Sequence, residues 1–210
     1  MASRLHADRG RFQGAILGSM WLKSLSVVYL TRLVGSLFLF STLMGGACAG
    51  TVQSVWQIPI ALTDDLGEQV HLKKWAGQPA IITMEYTESS LVCSVTLAYL
   101  KELQAILDVR GQSMNVLVLS LDPKNDTPEA WQRYRQTFNL RHSNWHFLTA
   151  GLDQTPDLAK QFGVNYRVFD GIIIHRLRIL RVDETGKVVN VLRTTYDDLR
   201  SFLDQTANVN

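Results

Sequence analysis

The chain has 210 residues, 46% hydrophobic and 19% charged, which suits one globular domain plus an appendage. The formal net charge of +2 belongs to the first 49 residues, with five Lys/Arg against one Asp; the rest of the chain has 16 basic and 18 acidic residues. No basic face is left to neutralise phosphates, so no nucleic acid is expected as a partner. With only Cys48 and Cys93 available, a disulfide framework is excluded.

The first predicted element is the uncharged stretch from Leu33 to Gly50, preceded by Lys23 and Arg32. Three readings compete for it. Ala47-Cys48-Ala49 has the small-x-small pattern of a signal-peptidase site, with Met20 as an alternative start that gives a basic n-region from Trp21 to Arg32. An uncleaved membrane anchor fits as well, since ~18 apolar residues reach the spanning threshold. Lipidation at Cys48 is the third, against which Gly45 stands where a lipobox has Leu. All three make residues 1–49 a signal peptide or membrane anchor. They place residues 50–210 outside the cytoplasm, in the periplasm or on a membrane.

Val55 to Leu62 alternates loosely and ends at Asp64-Asp65-Leu66-Gly67, a turn. Val70, Leu72 and Trp75 follow, which predicts a hairpin at one end of the fold. Ala80 to Tyr86 is a buried strand by its length and β-branching. Ser94 to Asp108 is a helix with Thr96, Leu100, Leu103 and Leu107 on one face, stopped by Gly111. Asn115 to Leu121 is a second central strand. Thr127-Pro128 caps and opens a helix to about Phe138. His146 to Leu148 is a short strand, and Thr155-Pro156 repeats the cap device. Ile172 to Val182 is one long strand, turning at Asp183-Glu184-Thr185-Gly186 into Val188 to Leu192. Tyr196 to Gln205 is a terminal helix. A βαβ start with a closing β-hairpin and helix predicts an α/β, thioredoxin-like fold: a central mixed sheet flanked by helices, with an N-terminal hairpin and an inserted helix.

Within that pattern Glu88-Ser89-Ser90-Leu91-Val92-Cys93-Ser94 leads from a strand into a helix and holds the single cysteine of the domain. A thiol at a helix N-terminus has a lowered pKa, and a nearby imidazolium lowers it further. Cys93 is therefore suited to a mixed disulfide, a sulfenic acid or a metal bond. Resolving a mixed disulfide takes a second nearby thiol, so a redox enzyme turning over on this domain alone is not expected.

From Trp56 to Gln205 the chain resembles the Sco/SenC family, thioredoxin-like proteins that assemble the copper centre of cytochrome oxidase. Leu119 to Pro128, with Asp122-Pro123 and Asp126-Thr127-Pro128, looks like the family's S-V-D-P-x-x-D-T-P block. Trp145-His146-Phe147-Leu148-Thr149 looks like its W-x-x-L-T-G segment. Glu85-Tyr86-Thr87 stands where the family's strand ends before its cysteine loop. His175 stands where the family keeps its metal histidine. The departures are at the site. The family's C-P-D-V-C-P becomes Ser89-Ser90-Leu91-Val92-Cys93-Ser94, and the acidic and small flanks of its histidine become Ile174 and Arg176. The resemblance implies copper as the ligand and a cytochrome oxidase subunit or another copper protein as the partner. Cys93 and His175 would be the metal ligands, Ser89 a degenerate ligand position and Glu88 an auxiliary. Cu(I) prefers sulfur and imidazole; with a hydroxyl in place of one thiol, weaker binding is expected.

Two other functions fit the residues: a metal-free interaction or regulatory module, and a one-cysteine peroxidase built on Cys93 and Ser90. Other titratable residues read as structural. His71, His142 and His146 read as surface residues, and Asp126 and Thr127 as helix caps.

Overall fold

The apolar runs at 80–86 and 115–121 form the inner strands of a seven-stranded mixed sheet. The computed structural model describes residues 54–88 and 93–204, apart from the side chains of Cys93 and Ser94. In it the two runs are β3 (Ala80–Glu85) and β4 (Asn115–Ser120), paired in parallel. The leader and Cys48 lie outside the described residues. Neither strand alternates in sequence, because both faces of the sheet are covered. Ile82 and Met84 of β3 and Leu117 and Leu119 of β4 enter one core cluster; Ile81, Val116 and Val118 enter the other.

The sheet order is β2 (Gln69–His71), β1 (Ala61–Asp64), β5 (Trp145–Ala150), β4, β3, β8 (Ile179–Val182) and β9 (Val188–Leu192). The β3-β4-β5 core is parallel, and the outer strands pair antiparallel. Helices α1 (Cys93–Val109), α2 (Pro128–Thr137) and α4 (Leu199–Asp204) cover one face through Leu103, Trp131 and Phe202. On the other face lie α3 (Thr155–Gln161) and two 3-10 turns, Val55–Gln57 and Leu72–Trp75, with Leu158, Trp56 and Trp75.

Helix α1 buries the four residues read as its face, Thr96, Leu100, Leu103 and Leu107. Truncating a fully enclosed leucine such as Leu103 to alanine costs roughly 2–5 kcal/mol, the range set by how far the cavity collapses. Gly111 adopts φ +62° and its amide donates to the Asp108 carbonyl, which ends the helix. Thr127 caps α2, its hydroxyl accepting from the Ala130 amide at 3.2 Å, with Pro128 opening the first turn.

Four sequence expectations are corrected. Residues 55–57 form a 3-10 turn rather than the start of a strand. Thr155 lies inside α3 and caps nothing; its hydroxyl donates to the Gly151 carbonyl. The terminal helix begins at Leu199, not Tyr196. The single strand expected over 172–182 is two. Ile172–His175 (β7) pairs with Tyr166–Phe169 (β6) in a separate two-stranded hairpin, and only β8 joins the main sheet. The break at 176–178 is pinned where Thr83 Oγ1 donates to the Arg178 carbonyl and Arg178 Nε donates to the Phe162 carbonyl.

Candidate metal site

At the carboxyl ends of parallel strands an α/β sheet opens a crevice. There β3 delivers Glu85, followed by Tyr86 and Thr87, with Cys93 opening α1 just beyond. Met84 before Glu85 and Tyr86 after it point into the core cluster that holds Ile82. Glu85 therefore takes the opposite side, and it is nonetheless only 3% exposed. A buried carboxylate needs a partner. His175, the last residue of β7, supplies one: its Nε2 stands 3.5 Å from Glu85 Oε2, and both side chains are almost fully enclosed. That distance is at the outer edge of hydrogen bonding, so the contact acts chiefly through charge. On the ring's other side Nδ1 donates to the Arg176 carbonyl at 3.4 Å.

Both ring nitrogens thus face oxygen acceptors. Burial is the largest single influence on His175 and disfavours its charged form. The Glu85 contact and charge, with the Arg176 carbonyl, outweigh it, so the imidazole holds its proton above the ordinary histidine range. Tyr86 locks β3 to β7: its hydroxyl donates to the Ile173 carbonyl at 3.0 Å, and its ring meets the imidazole edge-on at 6.3 Å.

On the other side of the loop entrance, Asp126 is fully buried. One of its oxygens accepts the Thr87 amide and the Thr87 hydroxyl, both at 2.8 Å, and the other accepts the Ser120 hydroxyl at 2.6 Å. Burial, the dominant influence, raises its pKa against the lowering effect of these donors. The sequence reading of Asp126 as a helix cap is therefore corrected. Thr127 alone caps α2, while Asp126 fixes the first residue of the segment that leads to Cys93.

Of the predicted site residues, His175 lies at this end of the sheet and Cys93 is the first residue of α1. Ser89 and the Cys93 side chain lie outside the described residues. Glu88 is exposed, and the carboxylate facing the imidazole is Glu85, which the sequence reading did not single out. A glutamate ending an otherwise apolar strand was the available signal. No group of three or more His, Cys, Asp or Glu suited to a metal ion occurs among the described residues. His71 and His142 are exposed as expected. His146 is not a surface residue: half-buried, it packs on Trp75 at 5.0 Å, and desolvation, aided by Lys74 and Arg135, lowers its pKa to about 4.

Residues 50–209 match the SCO1/SenC family. The chain belongs to the SCO1/SenC family. A SCO1 protein homolog of Bacillus subtilis is 26% identical over 175 residues, covering 80% of this chain and 91% of that protein. Two copper-bound structures share the fold. Arabidopsis thaliana ScoI has a TM-score of 0.61 and 21% identity, covering 69% of this chain and 91% of that one. For Bradyrhizobium japonicum ScoI the values are 0.56 and 23%, covering 70% and 92%. This SCO1/SenC chain thus keeps the thioredoxin-like α/β fold predicted from its sequence. No helix among its described residues is long and apolar enough to cross a membrane.

Proposed function

We propose that this chain is an exported or membrane-anchored copper-handling accessory of cytochrome oxidase assembly, with residues 1–49 as its signal or anchor and Cys93 and His175 as its ligands. The observation that carries this reading is the buried His175 imidazole, held between Glu85 and the Arg176 carbonyl at the same end of the sheet where α1 starts with Cys93. Copper is the cargo. One thiolate and one imidazole fit Cu(I), which accepts two soft or borderline donors, and they leave Cu(II) short of ligands unless the Glu85 oxygen joins.

The chain's own groups set the terms of binding. Donation from Nδ1 to the Arg176 carbonyl fixes the tautomer that leaves Nε2 as the ligand atom. Nε2 must first give up its proton, so Glu85, which helps hold that proton, makes copper uptake pH-dependent. Thr87, tied to Asp126, fixes where the segment toward Cys93 begins.

The test is a Cu(I) titration of the purified chain against a competing chelator, beside Cys93→Ala and His175→Ala. One-to-one binding lost in both variants is expected; binding indifferent to both sinks the reading. A second reading, a metal-free interaction module, is favoured by one observation: Nε2 already faces a carboxylate inside a closed environment. Partner binding that survives the Cys93→Ala, His175→Ala double variant would support it.

A further inference from the structure

The pairing of β8 with β9 ends at Ile179 opposite Leu192, both buried in the cluster beneath α1 and α4. Side chains alternate along a strand, so the next residue outward on each, Arg178 and Arg193, turns to the opposite face. Arg178 is held there. Its Nε donates to the Phe162 carbonyl at 2.7 Å, just after α3, which covers that face. Its guanidinium lies against Gly163. That residue has φ +65°, and a Cβ on it would stand 2.8 Å from an Arg178 terminal nitrogen. Arg193 continues the register on the neighbouring strand and is exposed.

Like charges opposed across an antiparallel pair are destabilising. Here nothing in the described chain neutralises them. Among the described residues neither guanidinium makes an ion pair. The charge of Asp197 reaches Arg193, but its carboxylate is turned to the chain: it accepts the amides of Arg193 and Thr194 and the Thr194 hydroxyl. The Phe162 carbonyl takes up Nε of Arg178, and no hydrogen bond leaves its terminal nitrogens among the described residues. Burial first and Arg193 second disfavour the charge of Arg178. The fold therefore fixes a half-buried cation beside a second one, and an anion between them would offset both penalties.

The charge count selects the anion. Guanidinium forks match the oxygens of carboxylate and phosphate alike. A carboxylate neutralises one arginine, whereas a dianionic phosphate neutralises both. We propose that Arg178 and Arg193 form a binding site for a dianionic phosphate group, carried as a soluble phosphate or on a lipid headgroup. The site does not depend on the copper-handling reading. When occupied, it fastens the end of β8 to the end of β9.

The experiment is equilibrium dialysis of the full chain against inorganic phosphate, with ionic strength held constant by sodium chloride. Saturable one-to-one binding is expected, displaced by sulfate and not by acetate. Arg193→Gln is expected to weaken it about tenfold, as loss of a charged hydrogen-bond donor does. Arg193→Lys should lose less, because it keeps the charge without the fork. Urea unfolding supplies a readout that a purely structural role would not move. Without phosphate, Arg193→Gln should unfold at higher urea than the wild type, since it removes the like-charge contact. Phosphate should raise the wild-type midpoint and leave that of Arg193→Gln unchanged. No saturable binding by the wild type overturns the proposal, as do equal binding by the variants and displacement by acetate as readily as by sulfate. Vesicles of phosphatidylcholine with and without phosphatidic acid separate the two sources. Arg193-dependent adsorption to phosphatidic acid assigns the site to a headgroup, and phosphate binding without adsorption assigns it to a soluble phosphate.

Discussion

Two buried carboxylates flank the entrance to the Cys93 segment, and they are held in opposite ways. Asp126 is surrounded by neutral donors, the Thr87 amide and the hydroxyls of Thr87 and Ser120. Glu85 faces a titratable ring. Neutral donors have fixed geometry and no exchangeable charge, so Asp126 acts as a mount. A carboxylate opposite an imidazole belongs to a contact that a proton or a metal can rewrite, so Glu85 is suited to the changeable side of the site. At the start of the loop one carboxylate fastens structure and the other borders a titratable ring.

The contrast breaks first if His175 is removed. His175→Ala takes away the positive charge that faces a buried carboxylate, and the metal-free protein should lose about 3 kcal/mol or more in urea unfolding, with Glu85→Gln costing less because it leaves a neutral amide. Next, Asp126→Ala orphans donors that are poorly hydrated and should cost roughly 2–3 kcal/mol. Because Asp126 mounts the loop and does not face the imidazole, this variant should retain His175-dependent Cu(I) binding; complete loss would erase the distinction.

The pH dependence separates the two groups further. Both pKa values are raised in the fold, from ordinary values of 3.8 for Asp126 and 6.5 for His175. In each case the protonated form is favoured by folding. The contribution is full below the unfolded value and is lost as pH rises through the raised one. Asp126→Asn should flatten the stability profile in the window just above 3.8, and Glu85→Gln in the window just above 6.5. Urea midpoints across pH would show this, and the same flattened window in both variants would contradict it. The smallest effect is expected at the neighbouring cap: Thr127→Ala should cost about 1 kcal/mol. A loss as large as that of Asp126→Ala would mean that the two residues serve the helix together.

Much of this was legible in the sequence, and the failures share physical causes. Strands β3 and β4 and the apolar face of α1 could be read because burial on both faces, or on one stripe, leaves a pattern in residue type. The break between β7 and β8 could not, because Ile172 to Val182 keeps one apolar character while changing pairing partner. β6 was missed because Arg167, Val168 and Phe169 are all exposed, so no alternation marks the strand. Asp126 was misread because Asp-Thr-Pro offers two capping side chains in succession, and only tertiary contacts show which one caps. Of the site, Cys93 could be read from its place at the start of a helix and His175 from the family resemblance, whereas the Glu85 contact needed the fold to bring β3 and β7 together.

Asp126 and Thr127 are consecutive, and they work in different directions, one toward the Cys93 segment and the other along α2. Ser120 fixes the start of the same stretch by reaching forward to Asp126. The span from 120 to 127 therefore cannot change length without moving a hydrogen-bond anchor and a helix start together. Thr87, which leads toward the Cys93 segment, is held by that same support through its amide and its hydroxyl. Insertions and deletions should therefore be rejected across this support, where the length of the chain is constrained as well as the residue types.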